Sequence, residues 1–180
     1  MTQDASESEL PIERRPGRRP GRRLLGQVSI FGGLRDESVA LLLERSVRTH
    51  VAAGEFFFQE GERGTSAFVL ETGRVSIIKQ WNDQPHVLRH LAAGDCFGEV
   101  ALIDFGARSA SVRADVDCSA LEFTAADLLQ LARSDPEQFA VVYMNLAREL
   151  ARRLRAADDR LFRARLDGAP HAADHRFDAG

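Results

Sequence analysis

The sequence predicts a mainly β protein with flanking helices. Between Ser46 and Phe123, short β-rich runs are interrupted by glycines at a spacing of about 8–12 residues, which is typical of an all-β roll, barrel or sandwich. A helical apolar pattern precedes this region, and a longer one follows it from Pro136. The length of 180 residues, with 44% hydrophobic and 28% charged residues, suits one globular domain.

The chain opens on a polar, arginine-rich segment. Residues 1–23 lack a periodic apolar pattern, and the stretch PIERRPGRRPGRR has six arginines against one glutamate. Proline and glycine oppose a stable helix here, so we predict a disordered arm over 1–23. The arm is either a solvated linker or a contact for a phosphate-rich surface or an acidic partner.

A helix and then the strands follow the arm. Asp36 is the expected N-cap of this helix, and Val39, Leu42 and Leu43 form its apolar stripe. The predicted strands are SVRTHV, EFFFQ, SAFVLE, RVSIIK, HVLRHL and DCSALEF, with WNDQP at a hairpin end. The run 56–58, which is all phenylalanine, is expected to lie in the core.

Two helices close the chain. Thr124 is expected to cap a short helix through Ala132, and Pro136 opens a long helix to about Leu166. The apolar stripe of the long helix consists of Phe139, Tyr143, Leu146, Leu150, Leu154, Ala157 and Leu161. This stripe either packs on the chain's own β-roll or joins two copies, and its length favours a homodimer.

The stretch from Phe97 to Ala114, FGEVALIDFGARSASVRA, carries the predicted site. A turn of helix starting near Glu99 would leave its first N–H groups unpaired, and such groups bind anions favourably. Arg108 offers a fork of donors to phosphate oxygens, and the carboxylate of Glu99 suits the hydroxyls of a sugar. The alternative is a mutual surface ion pair between Glu99 and Arg108; we favour ligand binding.

The order of these elements resembles the cyclic nucleotide-binding domain family, of the catabolite activator and protein kinase regulatory subunit type. The likeness covers roughly residues 28–160 and includes the Gly-Glu and Arg-Ser-Ala motifs. It implies a double-stranded β-helix, or jelly-roll-like β-roll, with a short helix in the phosphate cassette and a long C-terminal helix as a lid. The implied divisions are an arm at 1–23, the roll with its N-terminal helix at 24–135, the long helix at 136–166 and a flexible tail at 167–180.

The resemblance also implies roles for residues of the cassette that would hold a cyclic phosphate. Arg108 resembles the phosphate arginine of the family. Val100 and Ala101 would present backbone N–H groups to the phosphate. Ser109 would add a hydroxyl and an N–H, and Ala110 a further N–H.

Four more residues receive roles from the resemblance. Gly98 would let the backbone approach the ligand, and Glu99 would take the ribose 2′-hydroxyl. Leu102 would repack when the ligand arrives. The long helix lacks the Thr-Ser pair that reads adenine in the catabolite activator; Arg153 lies near that place and is a candidate to stack on the base.

The resemblance implies a sensor that binds cyclic AMP, in preference to cyclic GMP, and signals to a separate effector protein by movement of the long helix. We expect no catalytic activity and no cofactor, because every polar residue of the cassette has a binding role. We expect no DNA binding, because only about 14 residues follow Leu166. The alternatives are an interaction or scaffold protein with a vestigial pocket, and a Crp-family transcription regulator without its own DNA-reading domain.

The remaining features exclude other classes. A net charge of −3 opposes general nucleic-acid binding, and no apolar run is long enough for a membrane span or a signal peptide. Cys96 and Cys118 are expected to be reduced core residues of a cytoplasmic protein. His86 and His90 are expected to share one face of a strand without forming a metal site.

Overall fold

The structure, a computed structural model, describes residues 13–16 and 28–168, with side chains from 28 to 166. The strands are β1 (Glu13–Pro16), β2 (Val47–Val51), β3 (Phe56–Phe58), β4 (Ser66–Thr72), β5 (Arg74–Trp81), β6 (Gln84–Ala92), β7 (Cys96–Phe97), β8 (Ser111–Ala114) and β9 (Cys118–Thr124). The helices are α1 (Asp36–Arg45), α2 (Val100–Asp104), α3 (Ala125–Ser134) and α4 (Pro136–Gly168), and a 3-10 turn, Ser29–Phe31, precedes α1.

The strands form two antiparallel sheets. The first has the order β1-β2-β9-β4-β7 and the second the order β3-β8-β5-β6. The helices flank this β-roll, and α4 closes the described part of the chain. The mainly β fold with flanking helices and a long C-terminal helix, predicted from the sequence, is therefore confirmed.

The first sheet is covered on both faces, which explains the continuous apolar run of β4. Ala67 and Val69 belong to the cluster that includes the helices, whereas Phe68 and Leu70 belong to the cluster inside the roll. Successive side chains of a strand point to opposite faces, so a doubly buried strand is apolar throughout. The inner cluster is rich in aromatic rings; Phe68 stacks on Phe97 with centroids 5.3 Å apart.

The helix starts agree with the sequence at α3 and differ at α1. Thr124 and Asp127 form a capping box: the Asp127 N–H donates to Thr124 Oγ1 (3.3 Å) and the Thr124 N–H to Asp127 Oδ2 (2.9 Å). At α1 the N-cap is Arg35, without a side-chain cap, so the assignment of Asp36 as N-cap is wrong. Asp36 is the first helical residue, where its carboxylate faces the positive end of the helix dipole.

The predicted arm is described only at Glu13–Pro16. There β1 pairs antiparallel with β2, which differs from the expected disorder because main-chain hydrogen bonding along a sheet edge needs no apolar pattern. Pro16 ends the strand, a position where proline is tolerated. The rest of the arm, and the predicted tail after Gly168, lie outside the described residues.

A β-bulge at Leu88 interrupts the pairing of β6 with β5. His90 lies opposite Ser76 and His86 opposite Lys79, and these β5 partners are an odd number of residues apart. The expectation that the two histidines share one face is therefore wrong. Among the described residues, no group of three or more His, Cys, Asp or Glu side chains is arranged to hold a metal ion.

Predictions about buried residues are mostly confirmed. Cys96 and Cys118 are buried and form no disulfide, and burial raises the pKa of the Cys96 thiol well above its ordinary value. Phe57 and Phe58 are in the core, but Phe56 is 38% exposed. The core assignment of Phe56 is wrong because an irregularity between 56 and 58 in the β3–β8 pairing turns it outward.

Burial along α4 falls from its start to its end. Val142 and Leu146 are each 1% exposed and pack in the cluster that includes the first sheet and the other helices. Leu154 and Leu161 are 63% and 62% exposed. The second half of α4 thus carries an apolar surface that the roll leaves uncovered. None of the described helices has the length and apolar character to span a membrane.

Candidate functional site

A cavity of about 810 Å³ lies between the β-roll, α2 and α4. This volume is within the range of small-molecule sites. Eight residues predicted from the sequence line its wall, although they come from separate elements: Gly98, Glu99, Val100, Ala101, Arg108, Ser109, Ala110 and Arg153.

Arg108 is a buried cation at one end of this cavity, with 7% of the residue exposed. Its Nη1 donates to the carbonyl oxygens of Ser66 (2.7 Å) and Gly98 (3.0 Å), and its guanidinium carbon lies 3.9 Å from the centre of the Phe58 ring. No carboxylate among the described residues forms an ion pair with it. Burial lowers the pKa of Arg108, yet a guanidinium stays charged, so this end of the cavity holds a positive charge without an ion-pair partner among the described residues.

Two glycines make room for the Arg108 side chain. A Cβ at Gly98 would lie 2.7 Å from Arg108 Nη1, and a Cβ at Gly64 would lie 2.8 Å from its Nε. Gly98 also has a positive φ of 76°, which glycine adopts without strain. The sequence analysis treated such glycines only as breaks between strands, because nothing in the spacing of Gly64 relates it to Arg108.

The main chain of Arg108 is held as firmly as its side chain. The Arg108 N–H donates to the Glu62 carbonyl (2.8 Å), and the Gly61 N–H donates to the Arg108 carbonyl (2.9 Å). Lys79, which the sequence analysis missed, lines the cavity and donates to the Ser109 carbonyl (2.9 Å). Arg108 is therefore pre-positioned by backbone contacts from the loop between β3 and β4.

Helix α2 begins beside Arg108. Glu99 occupies its N-cap position in a helical conformation, and Phe105 ends it with a left-handed φ of 54°. The N–H groups of Val100 and Ala101 are in the first turn, where amides have no intrahelical acceptor. Leu102 is 3% exposed and packs in the cluster that contains residues of α3 and α4.

Glu99 is 2% exposed and forms an ion pair with Arg153 of α4. The alternative considered from the sequence, an ion pair between Glu99 and Arg108, is therefore wrong. Arg153 also donates to Glu149 Oε1 (2.9 Å) and to the Cys96 carbonyl (3.0 Å). Arg153, the candidate to stack on the base, thus makes contacts that join α4 to the cavity wall.

The far end of the cavity is formed by β6 and α4. Leu88 and Arg89 line it from β6, and Leu154, Ala157 and Arg160 line it from α4. Burial, and then the positive charge of Arg153, lower the pKa of Arg89. The sequence analysis missed the β6 residues because only the folded chain brings them opposite α4.

Comparison with known proteins identifies the class. Residues 48–135 match the family model of the cyclic nucleotide-binding domain. Residues 48–135 therefore form a domain of this family, and the resemblance drawn from the sequence is confirmed.

Three individual proteins illustrate the likeness. The chain is 37% identical over 130 residues to the Cyclic AMP receptor protein of Thermus thermophilus, covering 72% of this chain and 58% of that protein. It is 30% identical over 106 residues to cGMP-dependent protein kinase 2 of Homo sapiens, covering 56% of this chain and 14% of the kinase. This chain thus spans less than two thirds of either protein. A crystal structure of a cyclic nucleotide-binding domain from Methylobacillus flagellatus has a TM-score of 0.71 and 24% identity over 84% of each chain, which shows the fold.

Proposed function

We propose that this chain is a cyclic nucleotide sensor whose ligand binds in the cavity with its phosphate at Arg108. The observation that carries the proposal is the buried guanidinium without a carboxylate partner among the described residues. Its Nε–H donates to no described acceptor, and Arg108 lines the same cavity as Val100 and Ala101, the first residues of α2. A monoanionic cyclic phosphodiester would neutralise the guanidinium and accept hydrogen bonds from both sources.

The sugar of the nucleotide is proposed to bind at Glu99. A carboxylate accepts hydrogen bonds only, so its oxygens suit the ribose 2′-hydroxyl. Resemblance favours cyclic AMP as the ligand. One relative has cyclic AMP in its name and another has cyclic GMP, so both nucleotides are tested.

The signal is proposed to pass from the cassette to α4. Glu99 contacts both the cavity and Arg153, so a ribose at Glu99 alters the ion pair that joins α4 to the wall. Leu102 gives a second route, because it packs in the cluster that includes Leu146 of α4. Ligand binding shifts α4 only to the extent that the ligand prefers the closed position, typically by about 1–3 kcal/mol.

The exposed second half of α4 is proposed to form a homodimer, with a separate effector protein as the recipient of the signal. Leu154 and Leu161 are seven residues apart, so they lie on one face of the helix and suit a two-helix seam. The proposed role of this domain is binding rather than catalysis.

A thermal shift titration tests the proposal. Cyclic AMP and cyclic GMP are compared with 5′-AMP and 5′-GMP, which have the same bases but a dianionic, open phosphate. A cyclic ligand at 100 times its Kd should raise the Tm by about 5–10 °C, and the open nucleotides should raise it much less. No shift with either cyclic nucleotide at millimolar concentration would favour an interaction protein with a vestigial pocket.

A further inference from the structure

Lys79 connects the phosphate cassette to the loop that follows β3. Its Nζ donates to the carbonyl oxygen of Ser109 (2.9 Å) and to Glu60 Oε1. Lys79 is the only lysine in the sequence, and it lines the cavity from β5. It therefore contacts the cassette from a strand that lies outside the Gly-Glu and Arg-Ser-Ala motifs.

Glu60 holds Lys79 in this place. Its Oε2 accepts a hydrogen bond from the N–H of Gln80 (3.0 Å), and its own N–H donates to Ser111 Oγ (2.9 Å). Hydrogen bonds from Lys79, and then from Gln80, lower the pKa of the Glu60 carboxyl. The carboxylate is therefore ionised at neutral pH, and the ammonium of Lys79 has a charged partner.

The hydrogen bond from Lys79 determines the orientation of the peptide group between Ser109 and Ala110. A trans peptide group is planar with its C=O and N–H pointing in opposite directions, and the described residues have no cis peptide bond. A Ser109 carbonyl held by Lys79 thus fixes the direction of the Ala110 N–H, which donates to no described acceptor. The preceding peptide group is fixed in the same way, because the Gly61 N–H donates to the Arg108 carbonyl (2.9 Å).

We propose that Lys79 is a positioning residue for the cyclic phosphate: held by Glu60, it keeps the Ser109–Ala110 peptide group in the orientation that binds the phosphate. This inference rests on the proposed function, with the phosphate at Arg108 and the amides of Ser109 and Ala110 as further donors. It gives Glu60 a favourable effect on the binding of an anion, although the charge of Glu60 by itself repels anions.

Calorimetric titration with cyclic AMP compares variants at both ends of this contact. Lys79→Met removes the donor and keeps an apolar stem, and Glu60→Gln removes the charge that holds Lys79. Each should weaken binding about threefold to tenfold, the range expected when one hydrogen-bonded contact is lost. Glu55→Gln is the matched control, since it removes the same charge from an exposed position before β3 and should bind like wild type. Wild-type affinity in Lys79→Met would overturn the inference.

Glu60→Gln also separates positioning from a direct contact between Lys79 and the ligand. If Lys79 bound the phosphate itself, loss of the Glu60 charge would free the ammonium for the anion, and affinity would rise or stay the same. Either result would overturn the inference. The double variant should bind no more weakly than Lys79→Met alone, because both residues act through one contact, and additive losses would count against it.

The two phosphorothioate diastereomers of cyclic AMP give a readout that general loosening of the fold would not change selectively. Each has sulfur, a weak hydrogen-bond acceptor, in place of one exocyclic phosphate oxygen. The loss of affinity relative to cyclic AMP therefore measures the donors at that oxygen. Lys79→Met should reduce this loss for one diastereomer and leave it unchanged for the other. A reduction for neither, or an equal reduction for both, would overturn the inference.

The failure of this inference differs from failure of the proposed function. If no cyclic nucleotide binds the wild-type chain, both are wrong. If cyclic AMP binds in a way that depends on Arg108, while Lys79→Met and Glu60→Gln bind like wild type, the proposed function stands and the positioning by Lys79 is wrong.

Discussion

The two ends of the cavity are built differently. At the phosphate end, Arg108 is held by carbonyl oxygens of Ser66 and Gly98 and by main-chain bonds to the 61–62 loop. At the far end, between β6 and α4, the side chain of Arg89 makes no hydrogen bond or ion pair with the described residues, and the opposite wall is a helix whose outer half is exposed. Backbone contacts fix a geometry whatever the neighbouring side chains are, so the phosphate end is pre-organised and the far end is less constrained.

Arg108→Ala should have the largest effect, because it removes the proposed counter-charge and leaves the ligand phosphate unpaired in a buried place. We expect a loss of about 2–5 kcal/mol in cyclic nucleotide binding, measured by calorimetry. Arg113→Ala, on the other face of β8, is the control and should bind normally. If Arg108→Ala bound the nucleotide with wild-type affinity, Arg108 would not be part of the binding site. The proposed difference between the two ends of the cavity would then be wrong.

Gly98→Ala should come next, since the added Cβ would lie 2.7 Å from Arg108 Nη1 and displace the guanidinium. The strained φ alone costs about 1–3 kcal/mol of stability, and displacement of Arg108 should weaken binding as well. Gly54→Ala is the matched control: its φ is 89°, but its Cβ would meet nothing within 4 Å. Both variants should lower the Tm, and only Gly98→Ala should lower affinity. Equal affinities would show that the space that Gly98 leaves for the Arg108 side chain is not needed for ligand binding.

Glu99→Gln should weaken binding by about 1–2 kcal/mol, because a neutral amide forms a weaker hydrogen bond with the ribose than a carboxylate does. It should also loosen α4, since an uncharged amide at this position cannot form the ion pair with Arg153. Hydrogen exchange of the ligand-free chain should then be faster in residues around 149–157 than in wild type. Unchanged hydrogen exchange in these residues would show that Glu99 does not stabilise α4.

Leu161→Glu should have the smallest effect on the cavity, because Leu161 is exposed and does not line it. The charged side chain should disrupt the proposed helix seam, so sedimentation should detect a dimer in wild type and a monomer in the variant, with ligand affinity preserved. A wild-type monomer would refute the dimer, and loss of affinity in a monomeric variant would mean that the second copy contributes to the cavity.

The same contrast explains what the sequence could predict. The phosphate end was predictable because most of its residues lie within one stretch, 98–110, whose motif resembles a known family. The far end was not, because Arg89 belongs to β6 and only the folded chain brings it opposite α4. The capping box at Thr124 was predictable from local spacing, whereas the outward turn of Phe56 depends on its pairing with β8.

A crystal structure of the chain with cyclic AMP tests the central claim most directly. The account predicts the cyclic phosphate within hydrogen-bond distance of Arg108 and the first amides of α2, and the 2′-hydroxyl at Glu99. A nucleotide bound elsewhere, or a cavity left empty while Arg108 keeps only its contacts to Ser66 and Gly98, would contradict it.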